Sequence, residues 1–169
     1  MSDKPLVQIE TSLGEILLEL DAAKAPVSVA NFIGYARAGH YDGTIFHRVI
    51  RGFMIQGGGL TPALEEKSTG EPIVNEATNR LRNKAGTVAM ARTADIHSAT
   101  AQFFINTADN RDLDHAGLKP EMFGYTVFGQ VVDGMDIVYR IEQQPTTSVA
   151  GYDDVPQTPV LIEKVTVID

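Results

Sequence analysis

The side chains in this sequence with the clearest chemical potential are three polar groups set among apolar residues. Arg48 interrupts one apolar run, Gln56 ends a second and Gln102 begins a third. A guanidinium presents five N–H donors in one plane, and each amide offers both donors and acceptors. Groups of this kind can hold and orient a polar backbone. Any one of them taken alone could also be a strand residue that faces water.

Strand alternation places these amides beside large apolar side chains. Met54 and Gln56 share one face of their strand, and Gln102 and Phe104 share one face of theirs. If the two faces adjoin, they form a groove with an apolar floor and a polar rim. A groove of this kind suits an extended peptide that carries a hydrophobic side chain, and Arg48 would add a fixed fan of donors beside it.

Composition excludes several classes of function. The chain of 169 residues has a net charge of −8, no cysteine and four scattered histidines. These features predict no disulfide and no metal site, and they disfavour nucleic acid and anionic membranes as partners. No run approaches the roughly 20 apolar residues that a membrane-spanning helix needs. The start of the chain lacks a basic segment followed by an apolar one, so the cytoplasm is the expected compartment.

A local basic cluster at Arg80, Arg82 and Lys84 departs from the overall acidity. It lies in the stretch 60–85, which contains proline, glycine and many charges and is predicted to be a loop. Charged loops are usually solvated, so this cluster is interpreted as a solvated surface without a partner.

The elements that must position these side chains are mostly short strands. Two amphipathic helices interrupt them: one begins at Pro26 and ends before Gly39, and the other has Asp133 as its predicted N-cap. Residues 107–124 and the stretch after the second helix are predicted to be loops. Because strands rarely alternate with helices, an antiparallel barrel or sandwich in one domain, 1–169, fits best. The predicted strands are Leu6–Glu10, Glu15–Leu20, Ile45–Ile50, Phe53–Gln56, Gly86–Ala91, Ala101–Asn106, Tyr125–Val132 and Val160–Ile168.

Four segments, in the right order and spread over much of the chain, resemble the cyclophilin family of peptidyl-prolyl cis-trans isomerases. The similarity is greatest to the small bacterial members. The segments are 46–58 (FHRVIRGFMIQGG), 86–91 (GTVAMA), 98–106 (SATAQFFIN) and 127–135 (VFGQVVDGM).

This resemblance implies a mainly β fold, namely a closed eight-stranded antiparallel barrel capped by two helices, with a packed interior and a groove outside. It implies a cofactor-independent enzyme that isomerises X–Pro bonds and assists protein folding. By the same resemblance Arg48 is the catalytic residue. The residues implied to bind substrate are Phe53, Met54, Gln56, Ala91, Arg92, Gln102, Phe104, Leu113 and Tyr125.

Two positions depart from the pattern of the eukaryotic members. Asp112 stands where those members carry tryptophan, and Tyr125 stands where they carry histidine. The family's tryptophan donates its indole N–H to the inhibitor cyclosporin, which an ionised carboxylate cannot do. We therefore expect weak cyclosporin binding.

The expected partners are proline-containing peptides and unfolded or partly folded proteins, bound by a monomer. Two alternatives remain open at this point. The chain could be a non-catalytic proline-peptide binding module or chaperone, although the presence of Arg48 argues against it. It could also be an unrelated small barrel with a ligand inside, although the bulky apolar content of the strands favours a filled interior.

Overall fold

The computed structural model describes residues 3–168, and strands dominate it. Helix α1 spans Pro26–Arg37 and helix α2 spans Met135–Glu142. Three short 3-10 turns lie in the loops, at 77–79, 111–113 and 120–122. The strands are β1 Leu6–Thr11, β2 Gly14–Leu20, β3 Thr44–Ile50, β4 Met54–Gly57, β5 Thr87–Met90, β6 Phe103–Asn106, β7 Val127–Asp133, β8 Thr146–Val149, β9 Tyr152–Pro156 and β10 Leu161–Ile168.

Eight of these strands form a closed antiparallel barrel in the order β1-β10-β3-β4-β6-β5-β7-β2. The shortest junction of the ring is between β3 and β10, where Ile45 pairs with Leu161 and Thr44 pairs with Ile162. The fold predicted from the sequence, a closed eight-stranded barrel with two helices, is thereby confirmed.

Side chains fill the barrel interior. Phe32 from α1 packs against Tyr41, Phe103 and Phe128, with ring centroids 5.0–5.3 Å apart. All four residues are fully buried, and Val138 and Ile141 from α2 belong to the same core. Tilted and edge-to-face rings are the usual packing of aromatic side chains in a close-packed protein interior. The alternative of a barrel that carries a ligand inside therefore does not fit this molecule.

The N-terminus of α1 is capped from a distant part of the chain. Ala25 occupies the N-cap and offers no side-chain acceptor. Glu76 supplies it instead: its carboxylate accepts hydrogen bonds from the N–H groups of Val27 (3.2 Å) and Ser28 (2.7 Å) and from the Ser28 hydroxyl (2.8 Å). The negative charge also complements the positive end of the helix dipole.

Two predictions about the region around α2 are wrong. Asp133 is the last residue of β7, and Gly134, with φ of 96°, occupies the N-cap instead. A Cβ at position 134 would collide with the backbone of Glu15, so the close approach of β2 requires glycine. The stretch after α2, predicted to be a loop, contains the hairpin β8–β9. Its strands are short, β8 is largely exposed and β9 has no regular alternation of buried and exposed residues, so the pattern that reveals strands is missing.

Candidate active site

Of the polar residues singled out in the sequence, Arg48 lies on β3, Gln56 on β4 and Gln102 directly before β6, and these three strands adjoin. Strands β4 and β6 pair antiparallel, with Gln56 opposite Phe104 and Met54 opposite Asn106. Met54 and Phe104 point away from the barrel core and pack with Ala89 and Val127. We call these four buried residues the outer apolar cluster. The two faces inferred from strand alternation therefore do form one surface.

A cavity of about 180 Å³ opens above this cluster. Arg48 and eight of the nine residues expected to bind substrate line it, and Gln102 is the exception. The lining residues are Arg48, Phe53, Met54, Gln56, Ala91, Arg92, Phe104, Leu113 and Tyr125.

A β-bulge turns Arg48 toward this cavity. Phe46 pairs with Gly57 and Arg48 pairs with Gln56, so β3 contains one extra residue, His47, between the two pairs. Phe46 and Val49 both belong to the barrel core. They are three residues apart, so strict alternation would place them on opposite faces of the strand. The bulge resets the alternation, and the arginine side chain is exposed outside the barrel.

The side chains of Gln102, Gln56 and Arg48 form a chain of polar contacts, which we call the amide relay. Gln56 Nε2 donates to Gln102 Oε1 at 3.0 Å, and Arg48 Nη1 lies 3.5 Å from Gln56 Oε1. The second distance is at the limit of a hydrogen bond. Within residues 3–168 the Arg48 side chain makes no other hydrogen bond, so most of its donors are uncommitted there. Gln102 lines a smaller adjoining cavity of about 140 Å³. A Cβ at position 59 would collide with the Gln102 side chain, which explains the glycine at this position.

One wall of the cavity is a stacked pair that the sequence did not reveal. The Arg92 guanidinium carbon lies 4.4 Å from the centroid of the Tyr125 ring. Arg92 Nε and Nη2 donate to the carbonyl of Gly124 at 3.2 and 3.0 Å, and Nη1 donates to that of Thr93 at 2.8 Å. These contacts fix the guanidinium plane over the ring.

Three asparagines that sequence reasoning also missed hold the loops around the cavity: Asn83 and Asn106 are buried and Asn110 is half-buried. Asn110 Nδ2 donates to the carbonyl of Phe53 at 2.8 Å and to Asn106 Oδ1 at 2.8 Å. Asn106 in turn donates to Asn83 Oδ1 at 3.0 Å, and Asn83 donates to the carbonyl of Leu113 at 3.1 Å. The network ties two lining residues, Phe53 and Leu113, to the end of β6. The only sequence signal was Asn106 at the end of the segment 98–106.

His47 is adjacent to Arg48 in sequence but lies in different surroundings. Burial, and to a lesser extent the positive charge of Arg48, lowers the pKa of His47 to about 4. Its ring packs edge-to-face on Tyr152, with centroids 6.0 Å apart. The imidazole is therefore neutral at neutral pH and does not line the cavity.

Over residues 3–168, no group of three or more His, Asp or Glu side chains is arranged to hold a metal ion. Within the same residues, no helix is long and apolar enough to span a membrane. The arrangement at the cavity is instead an apolar floor, a rigid aromatic wall and one exposed cation with uncommitted donors.

Comparison with known proteins identifies the family. A sequence model described as "Cyclophilin type peptidyl-prolyl cis-trans isomerase/CLD" matches residues 6–167. The chain belongs to the cyclophilins. As a cyclophilin of this type it is a peptidyl-prolyl cis-trans isomerase, an enzyme that accelerates rotation about X–Pro bonds.

Bacterial relatives align over nearly the whole length of this cyclophilin. The "Peptidyl-prolyl cis-trans isomerase cyp18" of Streptomyces antibioticus is 57% identical over 96% of this chain and 98% of its own. The "Peptidyl-prolyl cis-trans isomerase B" of Escherichia coli K12 is 52% identical over 96% and 99%. A Cryptosporidium parvum cyclophilin, crystallised in the presence of the dipeptide Ala-Pro, superposes with a TM-score of 0.82 at 26% identity, covering 97% of this chain and 99% of that one.

Proposed function

We propose that the cavity beside Arg48 is the place where this isomerase binds and rotates X–Pro bonds. A single observation carries the proposal: one cavity of about 180 Å³ brings an uncommitted guanidinium together with an apolar floor on which a proline ring can pack. The crystallisation of a structural neighbour with Ala-Pro supports a proline-containing peptide as the ligand.

The residues proposed to bind substrate divide into three roles. The apolar side chains of Phe53, Met54, Phe104 and Leu113 hold the proline ring, with Tyr125 and Ala91 beside it. Gln56 and Gln102 hold the peptide backbone and orient Arg48 through the relay between them. Arg92 lines both the main cavity and the adjoining one, and its stacked guanidinium stiffens the wall between them.

Arg48 acts on the transition state. Rotation about the X–Pro bond meets a barrier of about 18–20 kcal/mol because amide resonance must be broken. In the twisted state the proline nitrogen regains a lone pair, so a donor aimed at it binds that state better than either ground state. A planar guanidinium that stays charged can donate to this nitrogen while it holds the substrate carbonyl.

Replacement of Arg48 tests the assignment. Arg48→Ala should lower kcat/KM on an Ala-Pro-Phe peptide by about a hundredfold or more, because preorganised donors of this kind commonly contribute that much. NMR exchange spectroscopy on the peptide measures the rate, and circular dichroism checks the fold. Arg140→Ala is the matched control, since Arg140 is exposed and lies outside the cavity.

Equal rates for Arg48→Ala and the wild type would refute the proposal. If the wild-type protein bound the peptide without isomerising it, a binding module would replace the enzyme as the explanation.

We also propose weak binding of cyclosporin. Asp112 lies on an exposed 3-10 turn next to Leu113, which lines the cavity. A carboxylate at this point offers the inhibitor an acceptor where the eukaryotic members offer an indole donor. Isothermal titration should give a much lower affinity for the wild type than for Asp112→Trp, and equal affinities would contradict this explanation.

The remaining assignments stay predictions. They are a single functional domain over 1–169, a monomer in the cytoplasm, and unfolded or partly folded proteins as clients. Neither nucleic acid nor a membrane is expected to be a partner, given the net charge of −8. Light scattering and cell fractionation would test the oligomeric state and the compartment.

A further inference from the structure

The segment 80–84 presents three cations on one side. Arg80, Arg82 and Lys84 are exposed, whereas Leu81 between them is half-buried and Asn83 is 1% exposed. Arg80 has a left-handed backbone, with φ of 68°, and the N–H of Lys84 donates to the carbonyl of Arg82 at 2.9 Å, so the segment is an irregular loop. Its three charged residues all line the same groove, and we call them the basic strip.

The basic strip is held in place from below. Asn83 receives a hydrogen bond from Asn106 (3.0 Å), and its backbone N–H donates to Asp114 Oδ1 at 2.6 Å. Asn79 Nδ2, one residue before the strip, donates to the carbonyl of Val127 at 3.2 Å. Because the backbone is fixed, a ligand that binds the strip orders only side chains, which lowers the entropic cost of binding.

The strip cations lack partners within the part of the chain that the structure describes. No side-chain hydrogen bond or ion pair of Arg80, Arg82 or Lys84 occurs within residues 3–168, although the protein carries eight excess negative charges. Three neighbouring like charges repel one another, and an anionic ligand would remove that repulsion. An arginine fork matches a carboxylate with two parallel hydrogen bonds.

A groove of about 390 Å³ runs along the strip and is larger than the cavity at Arg48. Leu81 and Val127 line this groove and also pack with the outer apolar cluster beneath that cavity. None of the residues that the structure describes lines both concave surfaces, but the outer apolar cluster connects the floor of one to Leu81 and Val127 of the other. A peptide whose proline occupies the first could continue over Leu81 into the second.

We propose that the basic strip binds an acidic segment of the client polypeptide, one that flanks the proline turned over at Arg48. The inference rests on the active site proposed above. Glu19 and Asp21 also line the groove, and with the net charge of −8 they repel a long polyanion such as RNA. A short run of Asp or Glu needs only two or three ion pairs along the strip, so it avoids most of this repulsion.

Matched peptides test the proposal. Each carries the same Ala-Pro-Phe core, extended on one flank by four consecutive glutamates or four consecutive glutamines. The extension is placed before the core in one pair of peptides and after it in another. In one of the two pairs, the glutamate peptide should have a three- to tenfold lower KM and Kd than the glutamine peptide, as a few exposed ion pairs would give. The two kcat values should be roughly equal. Raising the salt from about 20 to about 300 mM should shrink this difference.

Two double variants separate the strip from the net charge. Arg82→Gln with Lys84→Gln should abolish the preference for glutamate. Arg140→Gln with Lys164→Gln removes the same charges from exposed positions elsewhere and should retain it. The proposal is overturned if neither flank shows a preference, if both double variants lose it equally, or if a 20-nucleotide single-stranded RNA binds more tightly than the glutamate peptide. Were turnover absent, the active-site assignment would fail by itself, and the Kd values would still decide for or against the strip.

Discussion

Phe104 joins the floor and the wall of the cavity. It is 4% exposed, belongs to the outer apolar cluster, and meets the Tyr125 ring edge-to-face with centroids 5.7 Å apart. Its partner Tyr125 is in turn covered by Arg92. A substrate ring that enters the cavity therefore meets a surface whose parts support one another.

We predict that Phe104→Ala weakens peptide binding by about tenfold or more, since truncation removes apolar area worth about 1.5–3 kcal/mol from the floor. Titration with an Ala-Pro-Phe peptide measures Kd on the folded variant. Phe104→Leu retains most of the volume and should lose less affinity. Unchanged affinity in the alanine variant would exclude Phe104 from the binding site.

At the residue scale, the sequence predicted which side chains share a face of one strand. It did not predict contacts between side chains that are distant in the sequence. Alternation was enough to place Met54 beside Gln56, because strand geometry is local. The stacking of Arg92 on Tyr125 depends on the approach of two loops. No periodic pattern in one sequence encodes such an approach.

The bulge at His47 shows the same limit at the scale of an element. An apolar run such as 45–50 predicts a strand, but not that Phe46 and Val49 both face the core. The partner strand decides this, since the extra residue is defined only by the pairing of β3 with β4. The direction of Arg48 is thus set by a feature that appears only once the sheet has formed.

The remote cap of α1 leads to a prediction about stability. Glu76→Ala should lower the free energy of unfolding by about 1–2 kcal/mol, because it leaves the N–H groups of Val27 and Ser28 without their acceptor. Glu76→Gln keeps an acceptor and should cost less. Urea denaturation measures both, and Glu163→Ala, at an exposed position on β10, is the control.

A loss no larger for Glu76→Ala than for Glu163→Ala would show that the cap contributes nothing. Asn31 of α1 donates from Nδ2 to the carbonyl of Thr100 at 2.6 Å, two residues before Gln102. Fraying of the start of α1 would therefore loosen the segment that holds Gln102 in the amide relay. Slower turnover should accompany the lost stability.

At the scale of the whole molecule, burial of His47 makes stability depend on pH. Its pKa is about 4 in the folded state and 6.5 in an exposed imidazole. Between these values the unfolded chain binds the proton more readily, so stability is fully present above about pH 6.5 and falls as the pH drops toward 4. The full loss attributable to this residue is roughly 3 kcal/mol.

His47→Phe should remove this part of the pH dependence. Urea denaturation of both proteins at pH 8, 7, 5.5 and 4 measures it, and the difference between their free energies of unfolding should be constant from pH 8 to 7. Below pH 6.5 the difference should change in favour of the variant. Parallel curves down to pH 4 would mean that His47 titrates normally in the folded protein.

The architecture was largely predictable, and the reason lies in the packed interior. Each barrel strand must turn large apolar residues inward, as Ile9 and Ile105 do, so all eight barrel strands carried a recognisable pattern. The hairpin β8–β9 adds little to that core and carried none. Strand order and ring closure depend on pairings between distant segments. The resemblance to a known family implied closure, and the order of the strands came only from the structure.

Closure of the ring has a consequence for the unfolded clients that we propose for this enzyme. Every barrel strand, including the three that carry Arg48, Gln56 and Phe104, has a hydrogen-bonded neighbour on both sides. A non-native client offers unsatisfied backbone groups that readily add to any open sheet margin, which is a common route to aggregation. Most of the ring therefore offers such a client side chains to bind rather than a strand to extend, and the margins that stay open lie beside the two-residue junction of β3 with β10 and at the hairpin β8–β9.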